Sequence, residues 1–148
     1  MTSQLASVRA TVVVDLAPAE AFDVFTTEIE AWYRRGAATL GRRGQDRVLR
    51  FERHLGGRVL SIRDDGRDGH TTEIGRITCW EPGRRLGFVD RRRTEVEVSF
   101  EPVGRSTQVV LEHRGLDRLP PDMAAALGEY GFRRLPLWFE SYVKERST

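Results

Sequence analysis

The chain has 148 residues, with 24 basic and 22 acidic side chains and a net charge of +2. This length suits one compact domain, so a single domain over residues 1–148 is predicted. Nearly balanced charge, with arginines scattered along the chain, favours a solvated surface over a nucleic-acid site. No apolar run reaches the roughly 20 residues of a membrane span, and a single cysteine allows no internal disulfide. A cytoplasmic location is therefore predicted.

The first part of the chain predicts a strand followed by short helices. Residues 8–16 are rich in β-branched side chains, which favour a strand. Pro18 and Glu20 suit the first turn of a helix, where proline is tolerated and an acid complements the helix dipole. Residues 36–45 are predicted to form a loop. Apolar residues at three- and four-residue spacings predict one or two helices packed on a sheet: Ala21, Phe22, Phe25, Ile29, Trp32 and Tyr33.

Six more strands are predicted between residues 47 and 113. Turn residues at 56–57, 64–69, 82–83 and 104 separate them. Val96, Val98 and Phe100 alternate with polar or acidic residues, which is typical of a sheet with one dry face. No helix long enough for a parallel crossover separates these strands, so the sheet is predicted to be mostly antiparallel. The predicted strands are residues 47–53, 58–63, 72–80, 85–89, 94–100 and 107–113.

The chain is predicted to close with one long amphipathic helix over residues 121–145. Pro136 lies within it and should kink it, because proline lacks the backbone donor of a regular helical turn. Tyr130, Arg134 and Leu137 lie along the flank of the apolar face. The face itself consists of Ala124, Leu127, Gly131, Leu135, Trp138 and Tyr142.

This order of elements predicts an α+β fold in which one long helix covers a curved sheet. One helix does not fill the whole concave face, so space for a small molecule is expected between helix and sheet. The sequence contains no GxGxxG, phosphate loop or nucleophile elbow, and its histidines and cysteine lack the close spacing of metal ligands. Ligand binding without catalysis is therefore predicted, with no metal and no cofactor.

The same residues resemble the START-like, helix-grip superfamily (SRPBCC), and within it the bacterial relatives of the activator of heat-shock-protein-90 ATPase. The resemblance covers nearly the whole chain and lies in the order of several short motifs. Departures are Phe132 after Gly131, where many relatives have tryptophan, and Pro136 in the closing helix. The motifs are Ala17-Pro18-Ala19-Glu20-Ala21-Phe22, Trp32-Tyr33, Gly56-Gly57, Gly75-Arg76-Ile77, Trp80-Glu81-Pro82-Gly83-Arg84-Arg85-Leu86 and residues 107–116 (TQVVLEHRGL).

The resemblance implies a curved antiparallel sheet of six to seven strands around a long C-terminal helix, with two short helices after the first strand. It also implies a deep apolar cavity, because members bind lipids, sterols, polyketides or plant hormones. Three functions follow: binding of a small hydrophobic or amphipathic ligand without catalysis, stimulation of a heat-shock-protein-90 type ATPase, and cyclase- or hydrolase-like catalysis in the same cavity. The implied partners are such a molecule or a chaperone, and the protein is a monomer or a homodimer.

A set of aromatic, aliphatic and polar residues is predicted to line this cavity. The alternative interpretation is that the tryptophans are ordinary core residues, since their rings bury a large area in a core as well as in a cavity wall. For Arg134 the alternative is that its guanidinium lies in solvent and only the stem of the side chain packs on the helix. The predicted lining is Trp32, Tyr33, Phe51, Trp80, Val98, Leu111, His113, Leu127, Tyr130, Gly131, Arg134 and Trp138.

His113 is the candidate catalytic residue. It shares the parity of Val109 and Leu111, so it points toward the cavity mouth if that parity faces the core. A histidine there is suited to act as a general base or to anchor a ligand by a hydrogen bond. The alternative is a structural histidine bonded to backbone near the strand exit, since no orienting carboxylate is evident from the sequence. A perturbed pKa of His113 would favour catalysis.

Charged residues inside the predicted strands raise a further question. An arginine on the inner face needs a partner, and it would indicate an anionic ligand such as a carboxylate. A dimer contact is predicted either at an apolar sheet edge or at the Trp32-Tyr33 segment. The charged residues in question are Arg50, Glu52, Arg53, Arg63 and Arg76.

Overall fold

The computed structural model describes residues 6–33, 47–63, 71–130 and 132–146. All seven predicted strands are present, and they form one antiparallel sheet in the order β1-β7-β6-β5-β4-β3-β2. The predicted loops at 36–45 and 64–69 lie outside the described residues. The strands are Ser7–Val14 (β1), Arg47–Phe51 (β2), Arg58–Arg63 (β3), Thr71–Glu81 (β4), Arg85–Asp90 (β5), Glu95–Val103 (β6) and Ser106–Arg114 (β7).

The alternation of residues along the strands separates a dry inner face from a charged outer face. In β6 the side chains of Val96 and Val98 are buried, whereas Glu95 and Glu97, which alternate with them, are only half-buried. In β7 the same alternation buries Leu111 and His113. The buried residues of the two strands lie side by side, because Val98 pairs with Leu111 and Val96 pairs with His113. The predicted period of two is therefore confirmed.

The sheet is strongly curled. The first helix, α1 (Pro18–Thr27), contacts β2 at one edge of the sheet and also β6 and β7 near the other edge. The register shifts between Val59 and Leu60 and between Ile77 and Cys79, and such bulges increase the local twist of a sheet. The sheet thus wraps around the helices, and the predicted α+β helix-grip fold is confirmed.

An aromatic cluster joins α1 to the second helix, α2 (Ile29–Trp32), as the predicted short helices require. The ring centroid of Phe25 lies 4.9 Å from that of Trp32 and 5.5 Å from that of Phe100. Phe139 contributes a further ring 5.0 Å from Phe25. These tilted and edge-on contacts bury large apolar areas, so the cluster is part of the hydrophobic core.

The closing helix is not continuous. It consists of α3 (Pro121–Tyr130), a 3-10 turn (Phe132–Arg134) and α4 (Leu135–Arg146). Pro136 therefore lies in the first turn of α4, where a missing backbone N–H is tolerated. The helix is interrupted before the proline, and the predicted kink at Pro136 is wrong. In the described ranges, no helix has the length and apolarity of a membrane span.

The break also changes which face of the last helix is buried. Leu135, Phe139 and Val143 are buried at four-residue spacings. Trp138 and Tyr142, which belong to the predicted apolar face, are only half-buried. Beyond Leu135 the centre of the buried face is therefore one residue further along than predicted, and Trp138 and Tyr142 pack at its margin.

The predicted glycine turn between β2 and β3 is confirmed. Gly56 has a φ of +81°, a conformation that favours glycine. Backbone hydrogen bonds tie the turn to β4, with Ile77 N donating to Gly57 O over 2.8 Å. A Cβ atom on Gly57 would lie 2.1 Å from the carbonyl oxygen of Glu52, so the second glycine is required by a close backbone approach.

The charged strand residues lie on the outer surface. Arg50, Arg53 and Arg76 are exposed, so none of these three is an inward arginine that would indicate an anionic ligand. The side chain of Arg63 lies outside the described part. The outward orientation of Arg50, Arg53 and Arg76 avoids the desolvation of a buried charge. The outer ion pairs are Arg50–Glu30, Arg53–Asp23, Arg58–Glu52 and Arg76–Glu73.

The Trp32-Tyr33 segment is part of the core. Trp32 is 1% exposed and Tyr33 is 8% exposed. Both rings are therefore used within the chain, and the prediction that this segment contacts a second copy is wrong.

Candidate functional site

A second group of rings crosses the inner face of the sheet. Phe51 on β2 lies 5.9 Å from Phe88 on β5, measured between ring centroids. Phe88 lies 5.4 Å from Phe132, which in turn lies 5.4 Å from the imidazole of His113 on β7. We call these four buried residues the ring row. Since Phe132 belongs to the turn between α3 and α4, the ring row connects the sheet to the break in the closing helix.

His113 ends the ring row with buried polar atoms. Its Nε2 lies 2.7 Å from Oγ1 of Thr94, and both residues are 0% exposed. Its Nδ1 is also buried and has no hydrogen-bond partner in the described part of the chain. The prediction that His113 faces the core together with Val109 and Leu111 is confirmed. The predicted alternative of a backbone partner is wrong, because the partner is a side-chain hydroxyl, and the ring lies fully buried rather than at an opening.

Asp90 holds Thr94 in place across the β5–β6 hairpin. Its Oδ1 accepts hydrogen bonds from the backbone N–H groups of Arg92 and Thr94, each at 3.0 Å. Its Oδ2 is buried without a hydrogen bond in the described residues, and the nearest cation is Arg92, whose Nη1 is 3.9 Å away. Arg93 has a φ of +66° and completes the tight hairpin. The Asp90 carboxylate therefore binds the backbone of Thr94, while the hydroxyl of Thr94 contacts the imidazole of His113.

Burial lowers the pKa of His113 below its ordinary value of 6.5, because a charged imidazole is poorly solvated inside the sheet. The negative charge of Asp90 acts in the opposite direction, and the positive charge of Arg92 adds to the lowering. The net direction is downward, so His113 is neutral at pH 7. The perturbation expected of a catalytic histidine is present, although buried structural histidines show it as well.

This shift predicts a pH-dependent stability. The unfolded chain binds a proton on His113 near pH 6.5, whereas the folded chain binds it only at lower pH. Stability is therefore fully present above this value and is lost as the pH falls through the folded pKa. In His113→Gln, the part of the decline below about pH 6.5 that comes from this residue is expected to disappear. Urea unfolding at several pH values measures it.

His54→Gln provides the matched control, because His54 is exposed on the β2–β3 turn. This variant controls for the exchange of histidine for glutamine at a position outside the core. Parallel curves for His113→Gln and the wild type would contradict the assignment.

Four of the predicted lining residues lie on the inner face of the sheet. Phe51 and His113 belong to the ring row. Val98 and Leu111 face each other across β6 and β7, and both are fully buried. The structure thus brings these side chains to one surface, as the sequence predicts.

The predicted tryptophans lie elsewhere. Trp32 belongs to the Phe25 cluster, and its Nε1 is buried without a partner in the described ranges. Trp138 packs edge-on against Tyr33 with a centroid distance of 5.7 Å. Trp80 packs edge-on against Phe22 at 5.0 Å. These contacts are those of core residues, which was the alternative interpretation of the tryptophans.

The last predicted lining residues belong to the closing segment. Arg134 is half-buried in the 3-10 turn. The side chains of Leu127 and Tyr130, and the whole of Gly131, lie outside the described part. The wall of the predicted cavity that these residues would form opposite the ring row stays a prediction.

Sequence reasoning did not identify Phe88, Asp90, Thr94 or Phe132 as site residues. Asp90 carries a signal in hindsight, because it shares the dry parity of Phe88 in β5. A carboxylate at that parity is unusual unless it is hydrogen-bonded. Phe132 is visible only as a departure from the tryptophan of many relatives.

The outer face has a depression of about 270 Å³ above Gly87. Arg85, Glu97 and Arg114 surround it, and these charges are paired with one another at 3.1–3.3 Å. A smaller depression of about 90 Å³ lies between α2 and α4. Both are outside the space between the ring row and the closing segment, so neither is the predicted cavity.

The curled seven-stranded sheet, the two short helices after β1 and the helical closing segment define the START-like helix-grip class. The family model of the activator of Hsp90 ATPase homolog 1-like proteins matches residues 15–135. The chain therefore belongs to this AHSA1-like family, and the resemblance found in the sequence is confirmed. Among curated proteins, none matches the chain.

Solved structures give the same fold. Txn09, an anthrahydroquino-gamma-pyrone synthase in a complex with SUM, is 27% identical, with 95% of this chain and 99% of Txn09 covered and a TM-score of 0.63. The AHSA1-like protein from Aeromonas hydrophila is 22% identical, with 94% of each chain covered and a TM-score of 0.59. The Aha1 dimer from Colwellia psychrerythraea is 13% identical, with 90% of this chain and 93% of that one covered and a TM-score of 0.59.

Proposed function

We propose that this protein binds a small apolar, ring-bearing molecule between the inner face of its sheet and the segment that joins α3 to α4. The observation that carries the proposal is the ring row, which runs from Phe51 to the buried polar atoms of His113. Ligand pockets combine apolar and aromatic walls with a few polar groups that orient the ligand. The ring row supplies both kinds of surface.

The hydrogen bonding of the interior supports a binding site over a closed core. Buried polar atoms in folded proteins almost always have partners. Thr107 and Thr26 follow this rule, since their hydroxyls donate to the carbonyl oxygens of Leu16 and Phe22 over 2.7 and 2.9 Å. His113 Nδ1 has no such partner within the described chain, and neither do Trp32 Nε1 and Asp90 Oδ2, but only His113 belongs to the ring row. A bound molecule is one way to supply it.

The proposal predicts that fluorene, an apolar three-ring compound, binds to the purified protein in a fluorescence titration. Phe132→Leu is expected to weaken this binding about three- to tenfold, because one ring contact is lost. Phe22→Leu is the matched control, since Phe22 is buried but contacts Trp80 and Phe100 instead. No binding to the wild type, or equal weakening in both variants, would contradict the proposal.

A natural ligand is sought by native mass spectrometry of protein purified from its own host. A molecule that is released only on unfolding would support the binding role and reveal its chemical class. A mass equal to that of the chain alone would favour a transient substrate or a protein partner.

Catalysis in the same interior is a second candidate. It is favoured by the burial and lowered pKa of His113, and by the 27% identity with Txn09, which is a synthase. The test is to incubate the co-purified molecule in excess with the protein and to follow its mass. Conversion that His113→Gln abolishes would establish catalysis, whereas an unchanged molecule would favour binding alone.

The remaining expectations stay predictions. Stimulation of a heat-shock-protein-90 type ATPase is suggested by the family, and an ATPase assay with the host chaperone would test it. A cytoplasmic location and a monomeric or homodimeric state are open to fractionation and light scattering.

A further inference from the structure

The smaller depression, between α2 and α4, is lined by one row of α4 residues and by the end of α2. Trp138, Tyr142 and Glu145 recur at spacings of four and three residues, so they lie along one side of α4. Trp32 lines the depression from α2, and Ser141 lies beside the row. The depression therefore brings three aromatic residues together with a carboxylate.

The aromatic residues of this depression are held in place by contacts within the chain. Trp32 is 1% exposed, so it forms the floor. Trp138 packs edge-on against Tyr33, with 5.7 Å between the ring centroids. The hydroxyl of Tyr142 donates a hydrogen bond to Glu28 Oε1 over 2.6 Å, and this bond raises the pKa of Tyr142. The walls are thus formed before anything binds, which lowers the entropic cost of binding.

The charges around the depression favour a positively charged occupant. Aromatic faces carry a partial negative charge and attract cations. Glu145 adds a carboxylate to the wall, and Glu28 adds another next to Tyr142. Among the described residues that line the depression, none is basic. Arg146 approaches Glu28 from outside the lining, with 3.7 Å between Nε and Oε1, so Glu145 supplies the main negative charge.

The chain shows the same kind of pairing at its third tryptophan. The guanidinium of Arg53 lies over the ring of Trp80, 5.8 Å from the ring centroid. At Trp80 the cation therefore comes from the chain itself. The depression beside Trp138 offers comparable surfaces, and its cation has to come from another molecule.

The size of the depression limits this cation to one small group. Its volume is about 90 Å³, far below the roughly 300 Å³ of the smallest pockets for drug-sized ligands. Aromatic residues recognise quaternary ammonium groups through the faces of their rings. We propose that the depression between α2 and α4 binds the methylated ammonium group of a choline-type cation. This inference does not rest on the proposed function, because the depression lies outside the space between the ring row and the closing segment.

The test is a titration of the purified protein with choline chloride, followed by the indole N–H resonances in heteronuclear NMR spectra. Losses in Trp138→Leu and Trp80→Leu assign two resonances, and the third belongs to Trp32. The resonances of Trp138 and Trp32 are expected to shift saturably, with a dissociation constant on the order of 1 mM. Sodium chloride at the same concentrations controls for ionic strength.

Neohexyl alcohol separates the charge from the shape of the ligand, because carbon replaces the nitrogen of choline in this compound. It is expected to bind at least about tenfold more weakly than choline, since only a cation is attracted by the rings and the carboxylate. Equal binding of the two compounds would overturn the inference.

Two variants test the residues. Trp138→Leu, followed at Trp32, is expected to weaken choline binding about tenfold, and Glu145→Gln about threefold. Trp80→Leu is the matched control for the first variant, because Trp80 is also half-buried but lies outside the depression. Glu140→Gln is the control for the second, on the same helix. Because Glu145 is exposed, its variant keeps the test valid even if Trp138→Leu fails to fold.

The remaining outcomes decide the inference and the source of the cation. No saturable shift with choline, or equal weakening in a variant and its control, would overturn the inference and leave the fluorene titration unaffected. Phosphatidylcholine vesicles distinguish a lipid headgroup from a free solute. Co-sedimentation with vesicles that Glu145→Gln weakens would assign the cation to a lipid, whereas choline binding without co-sedimentation would assign it to a free solute.

Discussion

Replacing Phe139 by alanine is expected to lower the free energy of unfolding by about 3–5 kcal/mol. Phe139 is 0% exposed, and its ring lies 5.0 Å from Phe25 and 5.4 Å from Trp32. The shortened side chain would leave a cavity at the point where α4 meets α1 and α2. Because the cluster is held from three elements, the surrounding chain has little freedom to collapse into that space. Urea unfolding followed by circular dichroism measures the loss.

Leu137→Ala is the matched control on the same helix. Leu137 is 54% exposed, so its truncation is expected to change stability by less than about 0.5 kcal/mol. Equal losses in the two variants would show that the buried face of α4 is assigned wrongly.

Gly57→Ala is expected to lower the free energy of unfolding by about 3 kcal/mol. The new Cβ would lie 2.1 Å from the carbonyl oxygen of Glu52 and 2.9 Å from that of His54. Both obstacles are backbone atoms, so the turn must shift. Such a shift would also disturb the hydrogen bonds that link the turn to Ile77 on β4. Thermal and urea unfolding give the change.

The neighbouring glycine separates steric overlap from backbone strain. Gly56 has a positive φ, but a Cβ atom there would meet nothing within 4 Å. Gly56→Ala should therefore lose only about 1 kcal/mol, the strain of a left-handed conformation. If Gly56→Ala proved the more damaging of the two, the close approach at Gly57 would not be the main constraint on this turn.

The sheet was predictable because two independent signals agree in each strand. The period of two assigns Val96 and Val98 to one face, and glycine or proline turns separate the strands. For the closing helix, the prediction rested on periodicity without a second signal. Phe132, Leu135, Phe139 and Val143 also recur at helical spacings, and this second stripe is the one that is buried. Both stripes contain Leu135 and both have helical spacing, so periodicity alone does not show which of the two faces the core.

The site was predictable only in part, for a related reason. The inward orientation of His113 follows from the parity of one strand. Its neighbour Thr94 and the carboxylate of Asp90 become visible only through the pairing of β5, β6 and β7. Aspartate is also a common turn residue, so its position beside a hairpin hides its role inside the fold.

The pairing of β1 with β7 has a consequence for biosynthesis. β1 lies at one edge of the sheet, and its strand neighbour is the last strand in the chain. A ribosome adds about 5–20 residues per second, so β1 waits on the order of ten seconds for its partner to be translated. During that interval its valine-rich stretch is an unpaired strand edge, which chaperones bind and which favours aggregation. The sheet is therefore completed only after residues 106–114 have been translated, and slow translation of these residues would lengthen the period in which the nascent chain needs protection.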